Sequence, residues 1–264
     1  MREILSRYGR VALVTGASSG IGEAFALELA ARGCTVFAAA RRGERLEALK
    51  HRVAATGRGE VIPVTVDLQD STAAELLFDA VRARGLSVDI LINNAGFGRL
   101  GTLESVSRED AVGMVDLNCR AVVDITWRFL PAMKERKRGA VIILSSVVGT
   151  IPAPWFSVYS ATKAFDLYFG EALYAECIGS GVDVVTVLPG LTRTEFQASS
   201  GLREYHSPYR AAEQVVESAL GALGRKSIVV DGVFNKLMSH GSRFLPRGLL
   251  VTLSRIVMRK ELRL

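Results

Sequence analysis

Seven short runs rich in valine and isoleucine recur along the chain with segments of helical period between them, and they restrict the fold more than any other feature. They are Val11 to Val14, Thr35 to Ala38, Val61 to Val64, Val88 to Ile92, Val141 to Leu144, Val182 to Val187 and Ile228 to Val230. Most of each run is apolar at successive positions, so both of its faces need cover; a half-exposed strand would alternate. Covering both faces requires helices above and below, and strands that alternate with helices pair in parallel through right-handed crossovers. The pattern predicts an α/β chain with a doubly wound parallel sheet of about seven strands and helices on both faces. Its ligand crevice should open beyond the carboxyl ends of the strands.

At 264 residues, 49% hydrophobic and 23% charged, the chain has the size of one large domain. No Pro/Gly/Ser-rich stretch marks a linker. We expect one domain over residues 1–232 and a basic extension over residues 233–264. Cys34, Cys119 and Cys177 are odd in number and set in apolar or helical surroundings, which predicts reduced, buried thiols and no thiolate metal site. His51, His206 and His240 have no metal-ligand spacing. The amino terminus lacks an apolar signal core and no stretch reaches the ~20 apolar residues of a spanning helix, so a cytoplasmic chain is expected.

Directly after the first run stands Thr15-Gly16-Ala17-Ser18-Ser19-Gly20-Ile21-Gly22-Glu23, followed by the helical stretch Ala24 to Ala30. Glycines permit a tight turn and close backbone approach, so amides and the positive end of a helix dipole can meet a pyrophosphate. Such a loop is often only a turn, but its place after strand one and before a helix is the context that dinucleotide binding requires. The spacing departs from G-x-G-x-x-G, and no Gly-Lys-Ser/Thr follows, which disfavours a P-loop. Where the second run ends, an NAD site usually offers an acid to the ribose hydroxyls. Here the chain reads Ala39-Ala40-Arg41-Arg42, and two guanidinium groups without a carboxylate predict a 2′-phosphate, hence NADP(H). Asp67 suits the adenine amino group, with Leu68 packing beside it. Asn93-Asn94-Ala95-Gly96 closes the fourth run, where backbone would approach the adenosine ribose.

Tyr159 and Lys163 lie one helical turn apart on one face. Tyrosine titrates near pH ~10, so proton exchange at neutral pH needs its phenolate stabilised by roughly 3 units, about 4 kcal/mol, and a neighbouring ammonium supplies part of that. The pair alone is weak evidence, because a lysine stem packed on a tyrosine ring is common on helix surfaces.

With the loop, the Asn93 to Gly96 turn and the Tyr159/Lys163 pair in this order, the chain resembles the short-chain dehydrogenase/reductase family, in its form with a Thr-Gly-x-x-x-Gly-x-Gly loop, over about Val11 to Phe196. The resemblance implies a Rossmann fold and hydride transfer without a metal. It implies that Tyr159 donates the proton in reduction and accepts it in oxidation, while Lys163 lowers the tyrosine's pKa and binds the nicotinamide ribose. Ser146, thirteen residues before the tyrosine, matches the serine that hydrogen-bonds the substrate oxygen. Asn118 matches the asparagine that holds a water in the proton relay. Pro189, Gly190, Leu191, Thr192 and Thr194 resemble the segment contacting the nicotinamide carboxamide and the pyrophosphate. Arg41 falls at the position that grips the 2′-phosphate. Ser19 departs from the pattern, standing where many NADP-binding members carry a basic residue, so phosphate binding leans on Arg41, Arg42 and Ser18. Helices around Asp110 to Met133 and Tyr159 to Ile178 would pair across a two-fold axis, giving a dimer or tetramer.

Thr150 to Phe156 and the segment from Glu195 to Arg210, with Phe196, Leu202, Tyr205 and Tyr209, should shape an apolar pocket and a lid, so a hydrophobic carbonyl or alcohol is the expected substrate. Residues 233–264 hold seven basic side chains (Lys236, Arg243, Arg247, Arg255, Arg259, Lys260, Arg263) and one acid, Glu261, and so carry the whole formal charge of +6. Leu249, Leu250, Leu253, Ile256 and Val257 form one face of a basic amphipathic helix. It suits either packing on this or a neighbouring subunit or contact with an anionic membrane surface. The basic charge lacks interleaved aromatics, so nucleic-acid recognition is not expected. Two functions follow: an NADP-dependent oxidoreductase, or a non-catalytic NADP-binding regulator or membrane-surface adaptor.

Overall fold

The computed structural model describes residues 3–202, 209–242 and 244–262. Tyr205, His206, Arg243 and Arg263, singled out above, lie outside the described residues. The chain begins with α1 (Glu3–Tyr8), β1 (Val11–Thr15), α2 (Gly20–Ala31), β2 (Thr35–Ala40), α3 (Gly43–Ala54), β3 (Glu60–Thr65), α4 (Ala73–Arg82) and β4 (Ile90–Asn93). There follow α5 (Arg108–Val115), a π-helical turn (Asp116–Arg120), α6 (Ala121–Glu135), β5 (Gly139–Leu144), a 3₁₀ turn (Val147–Thr150) and α7 (Ser157–Cys177). Last come β6 (Val182–Leu188), α8 (Phe196–Ser200), α9 (Ala212–Ala222), β7 (Ile228–Val230), α10 (Val233–Ser242) and α11 (Arg247–Leu262).

All seven expected runs form strands, and every pairing is parallel, in the order β3-β2-β1-β4-β5-β6-β7. The order reverses between β1 and β4, which puts the topological switch point beside the glycine-rich loop. Strand residues alternate between two cores, as the period of two requires. Ala12, Val14, Ile90, Ile92 and Ile142 point to the side covered by α2, α3 and α9 through Phe25, Leu49 and Val216. Leu13, Leu91, Val141 and Ile143 point to the other, covered by α4, α6 and α7 through Leu77, Phe129 and Leu173. At roughly 1.5–3 kcal/mol for each fully buried large apolar side chain, these two layers are the main favourable contribution to folding.

Two details differ from the sequence expectation. Val88 is buried but precedes β4, which starts at Ile90, because Asp89 turns its carboxylate back to the amides of Arg10 and Val11 at 2.9 and 3.1 Å. Cys34 and Cys177 are buried free thiols as expected, whereas Cys119 is only half-buried, on the outer side of the π-helical turn. Among the described residues no helix is long and apolar enough to cross a membrane.

Leu91 is fully buried at the centre of the sheet. Leu91→Ala is expected to lower the unfolding free energy by about 2–5 kcal/mol through lost transfer energy and a cavity. Urea titration checks it: the midpoint falls while the slope stays constant.

Candidate active site

The carboxyl ends of β1, β4, β5 and β6 bring the predicted residues to one crevice. Gly16 and Gly20 adopt positive φ of 68° and 59°, which only glycine takes without strain. Gly22 opens the first turn of α2 with the carbonyl of Gly16 and the amide of Asn94 against it, so there is no room for a side chain. Asn94 donates to the carbonyl of Thr15 at 2.8 Å, and the Thr15 hydroxyl accepts from the amides of Asn94 and Ala95 at 2.9 and 3.0 Å. The turn after β4 thus braces the glycine loop after β1, and Ile21 packs against the core below it. From the far side Thr194 closes on Gly20.

At the basic end both arginines meet carboxylates that the sequence at the end of β2 does not offer. Arg42 turns into the loop, donating to the hydroxyls of Ser18 (3.0 and 3.2 Å) and Ser19 (2.7 Å). It also pairs with Glu195 at 2.8 Å, and Arg45 pairs with the other oxygen of the same carboxylate at 2.5 Å. Arg41 is exposed and faces Asp67 at 3.9 Å. Arg42, rather than Arg41, therefore joins Ser18 and Ser19. Leu68 is buried beside Asp67.

Tyr159 and Lys163 occupy successive turns of α7, both more than nine-tenths buried, with the lysine Nζ 6.0 Å from the centre of the tyrosine ring. Phe156 stacks on that ring at 4.4 Å and Phe196 tilts against it at 5.3 Å. Ser146 caps the start of the 3₁₀ turn after β5, its hydroxyl accepting from the amide of Val148 at 3.2 Å and lying 3.5 Å from the carbonyl of Pro189. The Ser145 hydroxyl donates to the carbonyl of Lys163 at 2.6 Å, fixing α7 to the end of β5. Asn118 is fully buried in the π-helical turn, with both side-chain N–H groups donated, to Phe97 (3.0 Å) and to the Thr162 hydroxyl (2.9 Å). It locks the Phe97 segment to α7. Gly96 passes so close that an added Cβ would meet the Asn118 oxygen at 3.0 Å and the Lys163 Nζ at 3.4 Å.

Beyond β6, the Pro189 carbonyl accepts from the amide of Val147 at 3.0 Å, Gly190 lies under Asn235 of α10, and Thr192 is buried with its carbonyl taken by Gln197 at 2.6 Å. The carbonyl of Leu191 accepts from Arg210 at 2.9 Å. Met114, Ala153, Phe156, Phe196, Leu202 and Met258 pack with Tyr159 in one apolar cluster, which places parts of both expected pocket segments at the cleft. Trp155, between Ala153 and Phe156, holds φ of 60°, a strained value for so bulky a residue.

Asp166 was not foreseen from the sequence. It is fully buried three residues after Lys163, and its carboxylate accepts from Nζ at 2.9 Å while the carbonyl of Leu144 accepts at 2.7 Å. Its other oxygen has no partner among the described residues. Burial pushes the Asp166 carboxyl up to about 6, against the pull of Lys163. Burial alone would make Lys163 easier to deprotonate, but Asp166 and Tyr159 reverse this and its pKa rises. Tyr159 is pushed up by burial; Lys163 and the Ser146 hydroxyl pull it down, and Asp166 opposes them. The lysine thus acts in the expected sense, yet burial outweighs it. The one sequence signal for Asp166 was a lone acid inside the apolar run Ala164-Phe165-Asp166-Leu167.

Residues 10–204 match the family model for short chain dehydrogenases. A short chain dehydrogenase of Pseudocercospora fijiensis is 41% identical over 192 residues, covering 72% of this chain but only 62% of that protein. Among solved structures, a study of 7beta-hydroxysteroid dehydrogenase stereoselectivity supplies one that superimposes with a TM-score of 0.87 at 29% identity, over 95% of this chain and 98% of the other. A short-chain dehydrogenase from Sphingobium yanoikuyae in complex with NADPH superimposes with a TM-score of 0.79 at 30% identity, over 92% and 95% of the two chains.

Asp166 binds its proton more tightly in the folded chain, near pH 6, than at its ordinary value of 3.8. Its contribution to stability is therefore complete below about pH 4 and lost as the pH rises through about 6. Urea unfolding of the chain and of Asp166→Asn across that window checks the sign. The stability of the original chain relative to the variant should fall as pH rises; a relative gain would contradict it.

Proposed function

This chain belongs to the short-chain dehydrogenase/reductase family of nicotinamide-dependent oxidoreductases, and from that premise we propose that it is an NADP(H)-dependent enzyme interconverting a hydrophobic carbonyl compound and its secondary alcohol. The observation that carries this reading is the convergence of the Tyr159 phenol, the Ser146 hydroxyl and the Lys163 ammonium at the crevice whose other end is the glycine loop. The residues present fit the cofactor. Gly16, Gly20 and Gly22 leave a backbone cradle at the start of α2, and Arg42 with Ser18 and Ser19 offers donors for a 2′-phosphate. Exposed Arg41 adds a second cation at the same end.

When bound, the nicotinamide supplies or accepts the hydride. Tyr159 donates its proton to the carbonyl oxygen in reduction and takes it back in oxidation. Ser146 donates a hydrogen bond to that oxygen as negative charge grows on it. Lys163 favours the phenolate and, beside Gly96, stands where the nicotinamide ribose would lie. Asn118 keeps the cleft floor rigid and is assigned the relay water, which one of its oxygens would hold, since both side-chain N–H groups are already donated. Gly190, Leu191, Thr192 and Thr194 would contact the carboxamide and pyrophosphate, and Asp67 with Leu68 would bound the adenine. The cluster around the reacting groups includes Met114, Ala153, Phe156, Phe196, Leu202 and Met258 and is apolar apart from the Tyr159 hydroxyl, which excludes water and favours an apolar substrate. Trp127 (69% exposed), Phe165 (40%) and Tyr168 (71%) on α6 and α7 leave an apolar surface that supports pairing of two copies through these helices.

Nicotinamide absorbance assays over a panel of ketones and aldehydes test the assignment. Tyr159→Phe is expected to lower kcat by about 10²–10⁴ with NADPH affinity nearly unchanged. Arg42→Ala should weaken NADPH binding and spare NADH. Tight NADPH binding with no turnover of any carbonyl would point to a regulator instead.

A further inference from the structure

The two carboxyl-terminal helices are amphipathic in an inverted sense. The face of α10 turned to the protein carries Asn235, Ser239 and Ser242, at spacings of four and three residues, with both serines buried. Its opposite face shows Val233, Phe234 and Leu237 to solvent at 82%, 64% and 74% exposure, with Met238 beside them. In α11 the residues turned inward are Leu250, Ser254 and Met258, and Met258 packs against the cluster that holds Phe156 and Tyr159. Of the five residues that form its apolar stripe, only Leu250 is buried; Leu249, Leu253, Ile256 and Val257 are exposed. The helix is thus rotated by about 100° from the setting that would bury the stripe. Helices of a globular protein bury their apolar stripe, and here the fold buries serines and presents phenylalanine and leucine.

We propose that this face docks on an anionic phospholipid bilayer, with α10 and α11 lying in the headgroup plane. Charge selects the occupant. Residues 233–264 carry the chain's entire +6. Lys236, Arg247 and Arg255 are exposed and form no ion pair among the described residues. A second copy would meet this face across a two-fold axis with the same cations, so like charge would oppose like. An anionic lipid surface satisfies both properties at once, accepting apolar side chains below the headgroups and basic ones among them. At 16 residues, or about 24 Å, α11 is too short and too charged to span and suits the interfacial plane. Because Met258 lines the cleft from the inner side of the same helix, docking would hold the mouth of that cleft at the lipid surface. The inference rests on exposure and charge alone and stands or falls independently of the proposed catalysis.

Co-sedimentation of the full chain with phosphatidylcholine vesicles and with mixed phosphatidylcholine/phosphatidylglycerol vesicles tests it. Binding to the mixed vesicles should exceed binding to phosphatidylcholine and weaken with salt. Arg247→Gln and Arg255→Gln should each weaken it roughly fivefold. The exposed pairs Phe234→Ser with Leu237→Ser, and Ile256→Ser with Val257→Ser, should abolish it while thermal unfolding and NADPH affinity stay constant. Failure to bind mixed vesicles, or binding untouched by these substitutions, would overturn the proposal. So would a serine variant that changed only the oligomeric mass by light scattering, which would make the face a contact between copies.

Discussion

A buried ammonium and a buried carboxylate, Lys163 and Asp166, meet at 2.9 Å behind the crevice, and the chemistry of the site depends on how that pair is held. An isolated charge in such a place would neutralise itself. Here the lysine also donates to the carbonyl at the end of β5, so its position is set jointly by the sheet and by α7. The pair fixes the field at Tyr159, one turn earlier on the same helix. With both groups charged, the tyrosine faces a dipole rather than a bare cation; burial raises its proton affinity most, Lys163 and the Ser146 hydroxyl lower it, and Asp166 adds a smaller push upward.

Around this pair the fold acts as a frame with few adjustable parts. Parallel strands buried on both faces leave a ligand to approach at their carboxyl ends, and the reversal of strand order between β1 and β4 opens a gap there. Thr15 and Asn94 tie the two lips of that gap together, Asn118 ties the next segment to α7, and Ser145 ties α7 to β5. These bonds run between elements distant in sequence. The reactive side chains are therefore carried on elements that are tied to one another, the arrangement that orienting two reactants requires.

The sequence made the sheet legible because burial of both strand faces leaves apolar runs, and their shortness and Val/Ile content mark them as strands rather than buried helix. It also revealed Gly16, Gly20 and Gly22, since close backbone contact there admits no side chain, and the Tyr159/Lys163 pair, since helical spacing is read directly. Asp166 was harder to see: an acid in a helix usually faces water, and only the tertiary position of α7 turns this one inward. The partners of Arg42 and Arg41 depend on side-chain direction at the end of β2, which residue type does not encode. The setting of α11 stayed open in the sequence for a related reason. Its apolar stripe was plain, but which face meets the protein was decided by Ser254 and Met258, and the stripe remained outside.

Titration of Tyr159 by NMR, in chain isotope-labelled at the tyrosine Cζ carbon, tests the electrostatic account most directly. Lys163→Met should raise the pKa of this tyrosine above that of the unaltered chain, and Asp166→Asn should lower it, because the first removes the cation that favours the phenolate and the second removes the anion that opposes it. A titration unchanged in both variants would contradict the account.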